Sequence, residues 1–409
     1  MQSSDDAWWA FSLDPEARAA TPALAPDAPR EAPLDYGGYL HLDALLAAQH
    51  PVSNVPDERI FVVTHQLFEL IFRQMIFDLG VVARTCERLL AEPDEAFPAL
   101  AFEPVPDERG PTPFWRPALT AAARLRHAGR HVLPPVMQYL GRSDDGDVLF
   151  STLEFGLFRD LLAPSSGFQT AQLRLIQQAL GKGPLLHVPV FPTDAFHAHY
   201  PGCPAGHVAL GDPLILQTGH TRAFPEDQAP AVVAARLDDL AHRVLARLAD
   251  GDGPAPPAVR RIHADDLTRA AHRFRATLGD APDADALTAR FEADLTRTAE
   301  TENTRREHLD GARRGAARLH REAPRSCLAF VLDRLVDLDH ALHDPHADSF
   351  LTVHRKTVRR HVADNSGTGG GGMPYLVTSQ RFLLPLFPAL VAYLDLDEPE
   401  GLPVDEERW

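Results

Sequence analysis

The chain has 409 residues, 44% of them hydrophobic, enough to bury a substantial core in one large domain or two smaller ones. Its formal net charge of -17 argues against a nucleic-acid partner, because phosphate contacts need clustered Lys and Arg to release counterions. No uninterrupted apolar run of about 20 residues is present, and the opening MQSSDDAWWAF carries acids where a secretory leader carries basic residues, so the expectation is a cytoplasmic protein with no membrane association.

Residues 1–35 are rich in Pro and Ala without a periodic apolar stripe, which predicts a poorly ordered tail. A single domain is expected over 36–400, followed by a short tail over 401–409. From Leu40 to about Gly80 the apolar spacing is helical, broken at His50-Pro51, with a long amphipathic run from Asp57 through Leu79. Prolines and acids over 91–113 predict a connecting loop before a second helix from Pro117 to Leu140. Another helix is expected over Gln169–Leu180, and then a long irregular excursion over 181–229, broken by Gly, Pro and His. Further helical runs follow at Ala231–Leu248, within 262–320, at Leu328–Leu342 and at Phe350–Val362. Strand-like alternation is scarce, so the expected class is all-α.

The three cysteines, Cys86, Cys203 and Cys327, are widely spaced with no Cys-x-x-Cys, which indicates free thiols. His197, His199, Cys203 and His207 cluster in FHAHYPGCPAGH, but their spacing matches no defined zinc pattern, and they read as solvated loop histidines ahead of a loop chelate for a metal. His-Glu-x-x-His and Gly-x-Ser-x-Gly are both missing, which removes the metalloprotease and α/β-hydrolase readings.

Three segments carry chemistry. In RIFVVTHQLFELIFRQ, Phe61, His65, Phe68 and Phe72 share one helix face, setting one imidazole among aromatic rings; the surface suits a flat apolar ligand, or simply a packed core. In APSSGFQTAQLRLIQQALG, Arg174 stands among apolar neighbours, where a guanidinium needs an anion: a substrate carboxylate or an internal acid. In FLTVHRKTVRRHVADNSGTGGGG, His354 lies on the apolar side of a helix that runs into glycines carrying one hydroxyl, Thr368. That pattern fits a buried cofactor or, equally, a flexible turn after a core histidine.

Taken in order, YGGYLHLDALLAAQ, FVVTHQLFELIFRQ, FRDLLAPSSGFQTAQLRLIQ and VHRKTVRRHVADNSGTGGGG resemble the tryptophan 2,3-dioxygenase family of haem-dependent oxygenases. The resemblance implies a multi-helix, haem-binding all-α bundle. It implies His354 as axial ligand of a b-type haem iron, with the loop glycines Gly369 and Gly370 beside the cofactor. His65 is then the distal histidine facing the indole N–H, Phe61 the stacking aromatic, Arg174 the carboxylate-binding arginine and Thr368 the loop threonine near the amino-acid group. Tyr36, Tyr39 and Leu40 would line a neighbouring subunit's pocket, implying a homotetramer, or at least a dimer.

The chain departs from the family pattern at several places. Where the family reads His-Gln-Ala-Tyr-Glu-Leu-Trp-Phe, it has Leu67, Phe68 and Ile71, losing a phenol and an indole; Leu173 replaces a Phe, and Met373 ends the altered glycine loop. The activity implied is opening of the indole C2–C3 bond of L-tryptophan or a close analogue by O2, giving an N-formylkynurenine-type product. The alternatives are a haem-dependent monooxygenase acting on a modified tryptophan or tyrosine, and a non-catalytic haem sensor.

Overall fold

The computed structural model describes residues 35–105, 113–143, 145–162, 237–249, 263–278, 309–343 and 349–361, the strand residues 187–189 and 207–209, and single positions within 170–180 and 285–304. The described secondary structure is helical almost throughout, so the all-α expectation holds.

Two short helices, α1 (Tyr36–Leu40) and α2 (Leu42–Leu46), meet at His41, which adopts a left-handed φ of 52°. Then comes α3 (Pro56–Ala91), twelve residues longer at its C-terminal end than the expected stop at Leu79. Pro56 sits in its first turn, where the missing N–H is harmless, and Asp57 and Glu58 face the positive end of the helix dipole. By length and hydropathy α3 could cross a membrane. It nevertheless carries Glu69, Arg73 and Asp78, and the face from Phe68 to Leu89 is buried in the protein core.

The region 91–113, expected to be loop alone, contains α4 (Phe97–Ala101). Next, α5 (Arg116–His127) packs along α3 and is clamped to it by Arg124, whose fork holds the carboxylate of Asp78, 2% exposed. The single helix expected to Leu140 is interrupted: Ala128–Val132 is a π turn, and α6 (Leu133–Gln138) follows. Pro134 and Pro135 explain the wider turn, because two successive residues lack an N–H and their rings crowd the preceding carbonyls. Gly129 within the turn lies so close to α11 (Cys327–His343) that a Cβ would stand 3.0 Å from both Ala341 Cβ and Leu338 Cδ1.

After α7 (Thr152–Arg159) a 3₁₀ turn covers Asp160–Leu162. Within the excursion 181–229, His187–Pro189 (β1) and His207–Ala209 (β2) pair antiparallel, a short ladder that the sequence reading missed. The remaining helices are α8 (Leu237–Arg247), α9 (Ala264–Leu278), α10 (Asp310–Glu322), α11 and α12 (Phe350–His361). Helices α8 and α10 cross with almost no space between them, since a Cβ on Gly315 would lie 1.6 Å from the Leu245 carbonyl oxygen. The core runs through α3, α5, α8, α11 and the start of α12, with Trp115, Phe72, Phe97 and Phe158 among its largest fully buried side chains.

Candidate active site

A buried carboxylate fixes where α3 begins. Glu58, 1% exposed, accepts the Val52 N–H at 2.6 Å, the Ser53 N–H at 2.7 Å and the Ser53 hydroxyl at 2.5 Å. Burial works to raise its pKa, but these three donors outweigh it and hold the group below the ordinary 4.5. From that anchored start, positions 61, 65, 68 and 72 recur at helical spacing and line one face.

Phe61 and His65 touch, with ring centroids 4.1 Å apart. The His65 Nδ1 lies 2.7 Å from the Phe61 carbonyl oxygen. A carbonyl only accepts, so Nδ1 carries the proton in this contact. Burial draws the His65 pKa below 6.5 despite the raising effects of that carbonyl and of Glu69, so the ring is neutral near pH 7 and its Nε2 is a hydrogen-bond acceptor.

Helix α7 brings three more rings. Phe150 stands just before it, while Phe155 and Phe158 are three residues apart on its inner face; their centroids lie 6.3, 5.8 and 5.8 Å from that of Phe61. The outer face carries Leu153 and Leu157, 84% and 70% exposed. None of the three phenylalanines was singled out by sequence reasoning, because each lies some 90 residues from Phe61.

Helix α12 docks on α3 through Phe350, whose ring meets Phe68 at 5.3 Å and Phe72 at 5.9 Å. Ser349 accepts the Thr352 N–H at 3.3 Å and so caps the helix start. One turn beyond Phe350 comes His354. Burial, and then the charge of His65, push its pKa down to about 3, so the two imidazoles sense each other across the α3–α12 contact. Both side chains are partly exposed. The His354 Nδ1 is sealed from solvent.

Two neighbouring segments are tied to this face. Gln66 donates to the Ala48 carbonyl at 3.0 Å and accepts from Gln49 at 2.8 Å, holding the end of α2 beside α3. Gln172 donates to both the backbone and the carboxylate of Glu69, and Gln172, Leu173, Ile176, Ala179 and Leu180 are all buried.

The family model for tryptophan 2,3-dioxygenase matches residues 25–94, a span containing Tyr36, Tyr39, Leu40, Phe61 and His65. The chain is 32% identical to the tryptophan 2,3-dioxygenase of Bradyrhizobium diazoefficiens over 36% of its own length and 42% of that protein's. It is 34% identical to that of Bdellovibrio bacteriovorus over 36% of this chain and 35% of the relative, and 28% identical to that of Anaeromyxobacter sp. (strain K) over 61% and 86%. Over these segments the chain is similar to tryptophan 2,3-dioxygenases. The matched segment covers less than half the length of the first two of these relatives.

Of the residues that tryptophan 2,3-dioxygenase resemblance picks out, the structure brings Phe61, His65 and His354 to one place. Tyr36, Tyr39 and Leu40 are exposed, at 76%, 68% and 40%. Arg174, Thr368, Gly369 and Gly370 lie outside the described residues, as do His197, His199 and Cys203; His207 is in β2. A different trio, Asp238, Asp239 and His242, has side-chain atoms within 4.8 Å of one another on α8, but its acids and histidine are already engaged in other interactions.

Proposed function

We propose that this chain is a haem-dependent dioxygenase that opens the indole C2–C3 bond of L-tryptophan or a close analogue to an N-formylkynurenine-type product. The observation that carries the reading is the 2.7 Å contact of His65 Nδ1 with the Phe61 carbonyl, which leaves a neutral Nε2 acceptor inside an aromatic wall. An indole offers a ring N–H to that acceptor and a flat face to Phe61.

The residues fit a haem. His354 is partly buried and neutral at pH 7, the state in which imidazole ligates iron, and its sealed Nδ1 means that iron would be met through Nε2. A b-type haem held there supplies the redox chemistry that activates dioxygen. The chain's own side chains do the rest. Phe61 stacks on the substrate ring, and Phe150, Phe155 and Phe158 back it and keep water out. His65 orients the indole by accepting its N–H; a neutral imidazole is too weak a base to remove that proton. Arg174 grips the α-carboxylate with two parallel N–H bonds, Thr368 stands near the ammonium, and Gly369 and Gly370 lie beside the cofactor.

Tyr36, Tyr39 and Leu40 complete the pocket of a neighbouring copy in a homotetramer. Their exposure supports a protein interface at these residues. A second reading, monooxygenation of a modified tryptophan or tyrosine, draws on Phe68, which presents hydrocarbon to Phe350 where the family has a phenol.

Absorption spectroscopy of the purified protein with added hemin tests the cofactor. The wild type should show a Soret band that shifts with L-tryptophan, and His354→Ala should lose it while remaining helical. Mass spectrometry with labelled O2 separates the two reactions: two added atoms with ring opening mean dioxygenation, one means monooxygenation. A wild type that takes up no hemin would overturn both.

A further inference from the structure

No aspartate or glutamate occurs between Glu108 and Asp144, although the whole chain carries a net charge of -17. Arg116, Arg124, Arg126, Arg130 and Arg142 fall in this acid-free stretch, so α5 and the π turn after it are basic within an acidic protein. Arg124 is taken up by Asp78. Arg126 and Arg130, one turn apart, both reach across to Asp337 on α11: the Arg126 Nε donates to Oδ2 at 2.8 Å and the Arg130 Nη2 to Oδ1 at 3.0 Å. Arg334, one turn before Asp337 on α11, donates its Nη1 to the same Oδ2 at 3.2 Å.

One carboxylate therefore stands among three guanidiniums, and it takes a single bond from each, leaving their other N–H donors for a second acceptor. The Asp333 carboxylate also acts on Arg334 and Asp337, so three positive charges face two negative ones. The arginines are held rather than loose. Their side chains are 35%, 40% and 30% exposed for Arg126, Arg130 and Arg334, and the Arg334 guanidinium also lies over the Phe330 ring, 4.5 Å from its centroid. Side chains already fixed in this way lose little further freedom when a ligand arrives. A phosphoryl group brings several oxygens in a tetrahedral arrangement and more than one charge, so it can meet all three forks through charge-assisted bonds, which a single planar carboxylate does not.

We propose that Arg126, Arg130 and Arg334 form a binding site for a soluble phosphate-bearing anion, held between α5 and α11. The occupant ties the start of the π turn to α11 at the level where Gly129 brings the two close together. Because α6 and α11 both pack on α12, a bound anion braces the frame behind the helix that carries His354. Binding to the folded state alone raises its stability in proportion to occupancy, so the site links a phosphate-bearing ligand to the firmness of that frame.

The probe is pyrophosphate, titrated calorimetrically into the full-length protein at constant ionic strength so that general screening is matched. The wild type should bind saturably, and Arg130→Gln and Arg334→Gln, one from each helix, should each weaken binding by about tenfold or more. Arg142→Gln removes the same charge from the same acid-free stretch and should stay within about twofold of wild type. Equal loss in all three variants would assign the effect to net charge and overturn the site, as would a loss confined to one of the two triad variants or a wild type that shows no saturable binding. Should the triad variants fail to fold, phenylglyoxal labelling of the wild type, read by mass spectrometry, decides instead. Pyrophosphate should slow modification of Arg126, Arg130 and Arg334 and leave Arg142 unchanged; unprotected triad arginines overturn the proposal. Binding to phosphatidic-acid vesicles without binding to pyrophosphate would make a membrane headgroup the ligand and overturn it as well.

Discussion

Asp57 and Ser151 are 94 residues apart in the chain, yet the Asp57 carboxylate accepts the Ser151 N–H at 2.5 Å while Glu154 accepts the Asp57 N–H at 3.3 Å. The first turns of α3 and α7 thereby serve each other, and Phe61 and Phe155 meet one turn further in. Asp57→Ala should cost about 1–2 kcal/mol of stability in urea unfolding, and Asp57→Asn, which keeps an acceptor, clearly less. The alanine variant should also bind indoles more weakly, read by titration.

Glu58 sets an acid-side dependence. Its folded pKa is below the ordinary 4.5, so its contribution is present above pH 4.5 and is lost as pH falls through the folded value. The stability gap between wild type and Glu58→Gln should therefore be widest above about pH 5 and should close toward pH 3. Thermal melts across that range check it; a gap that widens on acidification contradicts the clasp.

Asp333 behaves oppositely. Burial raises its pKa to about 6 from 3.8; the nearby Arg334 charge pulls it down, and Asp337 pushes it up. The His320 imidazole lies 4.0 Å away, but burial lowers its pKa, so it offers no counter-charge at neutral pH. The folded state then binds more protons between pH 3.8 and 6, and stability falls as pH rises through that window. Asp333→Asn should raise the melting temperature above pH 6 and leave it unchanged below pH 4.

Gly315 has no room for a methyl group against the Leu245 backbone. Since the obstacle is main chain, Gly315→Ala should force α8 and α10 apart at a cost of about 3 kcal/mol or more, whereas Gly156→Ala, with open space around it, should be mildly stabilising in its helix. Chemical denaturation of the pair measures both.

His65→Ala should keep the haem and lose indole N–H recognition. The wild type should favour L-tryptophan over 1-methyl-tryptophan by about tenfold or more, and the variant should show little preference. A wild type indifferent to the methyl group contradicts the Nε2 acceptor.

Much of this architecture was readable from spacing. Phe61, His65, Phe68 and Phe72 recur at three and four residues, so their common face follows from helix geometry alone. His354 on its own helix was equally visible. Contacts made across the chain were not: Phe150, Phe155 and Phe158 read as ordinary apolar residues until folding sets them around Phe61, and Glu58 reads as a routine first-turn acid. The break at Ala128–Val132 was missed because an apolar period of 3.6 barely changes across five residues. Arg174, Thr368, Gly369 and Gly370 lie outside the described residues, so their assignment rests on the family motif alone.

That widened turn has a consequence for how the chain tolerates change in length. A π turn takes up one residue more than an α turn, so losing one residue there returns the chain to α geometry with Leu133, Pro134 and Met137 still facing the interior. The same loss in a regular stretch of helix would rotate everything downstream by about 100° about the axis. Ala128–Val132 is thus the part of this helical run that best tolerates the loss of a codon.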